Sequence, residues 1–139
     1  MLTISHRGNI YGVNKFFENN PAHINNLLKN NTQVEVDVWV EGGVILLGHD
    51  EPQYIISYEF IKQDGLWCHA KNLNAFYYML EQNIKNCFWH QEDDYALTSS
   101  GYIWTYPDKL VSHKNIIVDL NENWKSKNYN CFAVCVDFL

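Results

Sequence analysis

The chain has 139 residues, of which 47% are hydrophobic and 15% aromatic, so a single domain over residues 1–139 can bury a packed core. Its formal net charge of −6, from 16 acidic and 10 basic residues, argues against a nucleic-acid-binding protein with a broad basic face. A run of about 18 apolar residues is absent, so no transmembrane segment is expected.

The N-terminus and the cysteines both indicate a cytoplasmic protein. The first residues lack the basic region and the long apolar stretch of a secretory signal peptide. The four cysteines lie in apolar, strand-like contexts without CxxC spacing, at Cys68, Cys87, Cys131 and Cys135. This pattern favours buried free thiols in a reducing compartment over a cysteine zinc site.

The first half of the chain alternates strands with one helix. Residues 2–7 predict a strand, and residues 14–30 predict a helix because their apolar positions recur near helical spacing. Residues 33–40 (QVEVDVWV) alternate strictly and predict a second strand. Residues 44–50 predict a third strand, paired with the second across a Glu-Gly-Gly turn.

The second half continues this alternation. Residues 66–71 predict a strand, and residues 73–83 predict a helix that Asn72 caps. The remaining predicted strands cover residues 87–91, 102–107, 115–120 and 132–138. Strand and helix in alternation predict a parallel sheet, and the last apolar runs suit strands that are covered on both faces.

Polar side chains recur at the ends of the predicted strands, where ligands bind in parallel α/β folds. They are His6 and Arg7, then Glu35 and Asp37, then His49 and Asp50, then His69 and Lys71, and finally His90, Gln91, Asp93 and Asp94. Five consecutive strands therefore carry groups that can bind a metal ion or a phosphate.

Glu35 and Asp37 are the most informative of these residues. Residues two apart on a strand share a face, and two carboxylates there repel each other and resist burial. A divalent cation removes both problems, and oxygen ligands suit Mg²⁺ or Ca²⁺. The alternative is a solvated strand face that carries two acids by chance.

The histidines and the cations suggest phosphoryl chemistry. His6 and His49 are either structural or a general acid–base pair with pKa values near neutrality. Arg7 and Lys71 would bind the oxygens of an anionic substrate. A metal, two cations and two histidines together suit an electrostatic clamp on a phosphate.

Five short motifs carry a family resemblance. They are HRG at 6–8, ENNP at 18–21, VEVDVW at 34–39, LGHD at 47–50 and CHAK at 68–71. In this order they resemble the glycerophosphodiester phosphodiesterase family, and more distantly the phosphatidylinositol-phosphodiesterase and sphingomyelinase D-like barrels. The resemblance covers roughly residues 3–72 and implies an α/β fold, a TIM-type (β/α) barrel with mostly parallel strands. A full barrel takes about 250 residues, so this one would be trimmed or incomplete.

The resemblance also implies roles for the site residues. It assigns Glu35 and Asp37 as metal ligands and His6 and His49 as the acid–base pair. It assigns Arg7 and Lys71 as phosphate-binding cations. Glu18 and Asn19 form a pair near the site, in which Asn19 would contact the phosphate. His69 replaces the acidic third metal ligand of the family. The expected ion is Mg²⁺ or Ca²⁺, with Mn²⁺ or Zn²⁺ as alternatives because of this imidazole. If His69 does not ligate, Gln91 or Glu92 could compensate.

Two residues and one segment of the distal half extend the expected site. Trp104 is either a hydrophobic contact for the alcohol part of a substrate or a core tryptophan. The segment from Tyr95 to Tyr106 is either a lid or substrate wall, or an ordinary strand with its loop. Asp137 either closes the site or is solvated.

The sequence thus predicts a metal-dependent hydrolase of a glycerophosphodiester-like or related small phosphodiester. One alternative is a non-catalytic phosphate-binding module derived from the same barrel, which the altered third ligand and the short chain support. Another is a metal-dependent enzyme of a different reaction type. The many aromatic residues would cover the surface of the sheet that helices normally cover, or would form the interface of a homo-oligomer.

Overall fold

Ten short strands dominate the computed structural model, which describes residues 1–139. The strands are β1 (Leu2–His6), β2 (Gln33–Glu41), β3 (Val44–Leu47), β4 (Tyr54–Ile56), β5 (Leu66–Ala70), β6 (Cys87–Trp89), β7 (Tyr95–Leu97), β8 (Ile103–Thr105), β9 (Asn115–Val118) and β10 (Ala133–Val136). The helices are α1 (Pro21–Lys29), α2 (Tyr58–Ile61) and α3 (Leu73–Glu81), with a 3₁₀ turn at Trp124–Ser126. Helices account for only 18% of the chain.

The strands form one mixed sheet that curls into a half-barrel. Its hydrogen-bonded order is β4-β3-β2-β1-β10-β9-β8-β7, and β5 pairs with both β2 and β6. Six pairings are parallel and three, β2–β3, β3–β4 and β7–β8, are antiparallel. The curl brings β7, at one end of this path, close to β6 at the end of the branch, because the Ser99 N–H just after β7 donates to the Cys87 carbonyl at 2.8 Å.

The predicted TIM-type (β/α) barrel is therefore wrong, even as a trimmed or incomplete one. A barrel of that type needs a helix after each parallel strand, but only α1 and α3 exceed a single turn. After residue 83 the chain joins its strands by loops and one 3₁₀ turn. Stacked aromatic rings fill the concave side of the sheet instead, with Phe88 on Trp104 at 4.4 Å between ring centroids and Tyr102 on Phe132 at 3.8 Å.

Several element boundaries also differ from the prediction. The predicted helix over residues 14–30 begins only at Pro21, because the Asn20 side chain accepts the N–H groups of Ala22 and His23 and so caps the helix there. The predicted strand over residues 44–50 ends at Leu47, which leaves His49 in the following loop. Sequence analysis missed β4, α2 and β7.

Other predictions are confirmed. Asn72 caps α3 by accepting the Ala75 N–H, and β2 and β3 form the expected antiparallel hairpin. β5 lies parallel to β2, with His69 in register with Asp37. The four cysteines are free thiols, and all except Cys131 are buried.

Strand alternation separates the main core from the floor of the site. On β2, Val34, Val36 and Val38 face the main hydrophobic cluster together with Ile24 and Met79. A second cluster fills the concave side of the sheet, and its members include Ile4, Trp67, Phe88, Trp104, Ile116 and Cys135. Each of these lies two residues before a polar or cavity-lining residue on the same strand face, so the cluster forms a floor beneath the strand ends.

The longest helices have nine residues. No helix is long and apolar enough to cross a lipid bilayer, which takes about 20 residues.

Candidate metal and phosphate site

Most of the predicted site residues meet at one cavity of about 450 Å³ above the aromatic floor. Its lining includes His6, Arg7, Glu35, Asp37, His49, His69 and Lys71. Glu18 and Asn19 are the exceptions. Asn19 lies behind Asp37, to which its side-chain amide donates at 3.0 Å and from whose backbone N–H its side-chain oxygen accepts at 2.9 Å, so it positions Asp37 instead of facing this cavity.

Three of these side chains converge as a metal ligand set would. One ligand atom each of Glu35, Asp37 and His69 lies within 4.8 Å of the others. The two acids are 3% and 1% exposed, so the alternative of a solvated strand face does not hold. Their shared face follows from their spacing on β2, and the parallel pairing with β5 brings His69 beside them.

The orientation of His69 is that of a metal ligand. Its Nε2 lies 3.0 Å from the His90 carbonyl oxygen, which can only accept, so the proton of a neutral ring is on Nε2. Nδ1 then presents a lone pair toward the acids, 3.2 Å from Asp37 Oδ1 and 3.9 Å from Glu35 Oε1. Metal-bound histidines are commonly held in this way by a carbonyl group behind the ring.

One oxygen of this carboxylate pair lacks the partner that burial normally requires. Asp37 Oδ1 is buried and has no hydrogen-bond partner, since the approach of His69 is not aligned as a hydrogen bond. Burial, and next the charge of Asp37, raise the pKa of Glu35 well above its usual range. A buried acceptor without a partner is costly, and a cation bound here would satisfy it and keep Glu35 ionised.

Asp37 is the more strongly stabilised anion of the two. Burial alone would raise its pKa, but the imidazole of His49, the protonated form of His69 and the guanidinium of Arg7 together hold the pKa of Asp37 well below its usual range. The Arg7 Nε lies 3.3 Å from Asp37 Oδ2, and the Lys71 ammonium lies 4.0 Å from Oδ1. Asp37 is thus an anion surrounded by four positive or hydrogen-donating groups.

Arg7 is placed by a left-handed turn directly after β1. Its φ is +56° and that of Gly8 is +94°, and a Cβ at Gly8 would lie 3.1 Å from the His23 ring. The turn lets the Arg7 N–H donate to Glu35 Oε2 at 3.3 Å, while the guanidinium lies among Asp37, Glu18 and His49. A non-glycine residue with this φ is uncommon, and such strain is typical of functional sites.

His6 is held by a carboxylate from the far end of the chain. Its Nδ1 lies 2.8 Å from Asp137 Oδ1, and the buried Asn9 amide donates to the same oxygen at 2.8 Å and to Glu18 at 3.0 Å. Hydrogen bonds and charge from His6 and Asn9 outweigh burial and lower the pKa of Asp137. Asp137 therefore accepts the Nδ1 proton of His6, which leaves Nε2 free.

His49 uses both of its ring nitrogens inside the site. Arg7 Nη2 lies 3.2 Å from Nε2 and can only donate, so the proton of a neutral His49 is on Nδ1, 3.3 Å from Asp37 Oδ2. The ring is about one-third exposed at the mouth of the cavity.

Sequence reasoning missed Asn9 as a site residue and left the role of Asp137 open. Asn9 follows the HRG motif directly, and its position after a glycine turn was the available signal. Gln91 lines the cavity, but neither it nor Glu92 belongs to the group of converging ligand atoms. The possibility that they replace His69 is therefore not supported by the geometry.

No family model, curated protein or solved structure matches the chain. The resemblance to phosphodiesterases stays a prediction, and the functional argument depends on the geometry of the site.

Proposed function

We propose that the protein is a metal-dependent hydrolase of small phosphodiesters. The observation that carries this proposal is the buried Glu35–Asp37 pair with the His69 lone pair aimed at it, next to two cations and a carboxylate-bound histidine. Structural ion pairs seldom leave a buried carboxylate oxygen without a partner. A bound metal ion would satisfy the carboxylates and His69, and a phosphate beside it would use the two cations and the carboxylate-bound histidine.

The residues fit a divalent ion. Glu35, Asp37 and His69 would hold it, and the imidazole supports Mn²⁺ or Zn²⁺ as well as the Mg²⁺ or Ca²⁺ that carboxylates favour. When bound, the ion would supply a positive charge that stabilises the charge developing on the phosphate oxygens.

The surrounding residues suit the remaining tasks. Arg7 and Lys71 would bind the non-bridging phosphate oxygens through charge-assisted hydrogen bonds. His6 would take the proton of the attacking oxygen on Nε2, while Asp137 stabilises the resulting imidazolium. The attacking oxygen belongs to water or to a neighbouring hydroxyl of the substrate.

His49 suits the leaving group. Its Nε2 accepts from Arg7 before substrate arrives. A phosphate that draws the guanidinium toward itself frees Nε2, which can then carry a proton for the departing alkoxide while Nδ1–H stays on Asp37. The bond between phosphorus and the leaving oxygen breaks as His49 delivers that proton. The proton that His6 takes from the attacking oxygen is thus matched by the proton that His49 gives to the leaving oxygen.

One observation favours the second candidate, a phosphate-binding module without turnover. Both nitrogens of His49 are engaged within the site, which leaves only His6 with a free nitrogen. A protein that only binds phosphate needs the cations and the metal but no second proton carrier.

The substrate and the location are proposed on further grounds. The charge of −6 is consistent with a small-molecule partner and not a nucleic acid, and Arg7 and Lys71 are the two of the 10 basic residues that line the cavity. The free thiols support a cytoplasmic location, since disulfides are rare in reducing compartments.

Turnover of a model phosphodiester tests the proposal. The metal-stripped protein is assayed on bis(p-nitrophenyl) phosphate and on a glycerophosphodiester, with Mg²⁺, Mn²⁺, Ca²⁺ and Zn²⁺ in turn. We expect activity that requires a metal and falls about 10²-fold or more in Glu35→Ala and in His6→Ala. The matched controls are Glu41→Ala, at the exposed end of the same strand as Glu35, and His113→Ala, an exposed loop histidine.

Turnover that survives both site substitutions would reject the assignment. Absence of turnover with every metal, together with metal-dependent binding of inorganic phosphate that Lys71→Ala weakens, would favour the binding module.

A further inference from the structure

The cavity is divided into a charged half and an apolar half. Arg7, Glu35, Asp37 and Lys71 come from the ends of β1, β2 and β5, and the loop after β3 adds His49. His90 and Gln91 line the cavity from the loop after β6. The opposite wall comes from the ends of β8 and β9 and is formed by Trp104, Tyr106, Pro107, Val118 and Leu120. We define these five residues as the apolar wall.

Strand alternation directs the apolar wall into the cavity. Between Val118 and Leu120, the Asp119 side chain faces away and binds Lys127 Nζ and Tyr129 OH, each at 2.7 Å. Between Trp104 and Tyr106, Thr105 also faces away and accepts the Asn115 amide at 2.9 Å. Because neighbours on a strand point to opposite sides, the side chains of Trp104, Tyr106, Val118 and Leu120 face the cavity.

The apolar wall is rigid at its base and open at its rim. Phe88 stacks on both His69 and Trp104, with ring centroids 5.1 and 4.4 Å away, so the base is fixed to the candidate ligand set. At the rim, Tyr106 and Leu120 remain 46% and 39% exposed. Apolar surface that is left open beside a polar site is typical of a ligand-binding surface.

The size and charge of the cavity define what the wall would bind. A volume of about 450 Å³ lies in the range of about 300–1,000 Å³ that is typical for organic ligands, beyond the needs of a metal and a phosphate. The carboxylates of the cavity, Glu35 and Asp37, belong to the candidate ligand set beside Arg7 and Lys71, and the apolar wall contains none. A cationic group on this wall would lack a counter-ion, whereas a neutral apolar group needs none.

We propose that the apolar wall is a subsite for a neutral alkyl or aryl group on one ester arm of the phosphodiester. This inference rests on the proposed phosphodiesterase function and names its substrate class. The metal and the cations would hold the phosphate, and the wall would select the alcohol.

Binding of phosphomonoesters tests the subsite without any need for turnover. Affinities for methyl phosphate, phenyl phosphate, 3,3-dimethylbutyl phosphate and phosphocholine are measured by calorimetry in the presence of Mn²⁺. We expect the phenyl and dimethylbutyl esters to bind about tenfold or more tightly than methyl phosphate, because each buries an apolar group of about the size of a Phe or Leu side chain. Phosphocholine has the shape of the dimethylbutyl ester but carries a positive charge, and we expect it to bind less tightly than that ester.

Rim variants localise the preference. Leu120→Ser and Tyr106→Ser should each reduce the preference for the apolar esters about threefold or more and leave methyl phosphate affinity unchanged. Both residues are partly exposed, so folding should persist, and thermal melting checks this. Leu97→Ser, at a 71% exposed residue of β7 outside the cavity, should retain the full preference.

Three results would overturn the subsite: equal affinity for methyl and phenyl phosphate, a preference that survives both rim variants, or tighter binding of phosphocholine than of the dimethylbutyl ester. Failure of the proposed function is separable. Selective binding without diester hydrolysis would keep the subsite and reject catalysis, whereas hydrolysis of methyl and phenyl diesters with equal kcat/KM would reject the subsite alone.

Discussion

Replacing Glu35 by Gln should have opposite effects on stability with and without a divalent ion. In chelator, the wild-type protein has two buried carboxylates close together, and burial and Asp37 raise the pKa of Glu35. Glutamine removes one of the two charges and can still accept the Arg7 N–H that Glu35 accepts. We therefore expect Glu35→Gln to be at least as stable as wild type in chelator.

With a bound metal the order should reverse. An ion present at 100 times its dissociation constant stabilises the folded state by about 2.7 kcal/mol. At an unfolding entropy of about 2.1 cal/mol/K per residue, the 139 residues give about 0.29 kcal/mol/K, so Tm should rise by about 9 °C. Glu35→Gln removes a charged ligand from a set of three, and we expect it to lose most of this rise.

Thermal melts of wild type and Glu35→Gln, in EDTA and in saturating Mn²⁺ or Zn²⁺, measure both effects. Glu41→Gln, on the same strand, is the control and should follow wild type in each buffer. A wild-type Tm that no divalent ion changes would refute the metal site. So would a rise of equal size in Glu35→Gln, because the ion would then bind elsewhere.

Two further predictions concern other contacts. Asp137→Asn should lower kcat about 10²-fold or more with little change in KM, because Asn cannot stabilise an imidazolium at His6; an unchanged kcat would exclude His6 as the proton carrier. Asp119→Asn should lower the free energy of unfolding by about 1–2 kcal/mol at pH 7, after allowance for the solvent exposure of Lys127. Burial alone would raise the pKa of Asp119, but Lys127, Tyr129 and Asn121 lower it to about 2. This stabilisation is present above the unfolded value of about 3.9 and is lost as the pH falls to about 2, so urea denaturation should show the two proteins converging in that range; a constant difference would contradict the reasoning.

Local patterns in the sequence predicted the centre of the site. Period-two alternation on β2 places Val36 in the core and Glu35 with Asp37 on the other face, as predicted. The structure buries this acidic face as well, which the sequence left open. The helix cap at Asn72 and the β2–β3 hairpin were also encoded in adjacent residues. Signals of this kind act within a few residues, so a single sequence reveals them.

Long-range pairing was not predictable in the same way. The contact between His6 and Asp137 joins residues 131 positions apart, and no local pattern fixes which strand closes on β1. The three-residue strands β4 and β7 are too short to show a period. The barrel prediction was wrong because the alternation of strands and helices in the first half was extended to the second half, where loops and one 3₁₀ turn join the strands.

The nine residues of β2 pair with β1, β3 and β5 at once, and this branching makes the strand intolerant of length changes. Deleting or inserting one residue there would exchange the two faces, so that the acids would enter the hydrophobic core and the valines would face the cavity. Substitutions can change the side chains of this strand one at a time. A shift in register would disrupt both the core and the site, so the sequence of β2 can diverge by substitution but not by insertion or deletion.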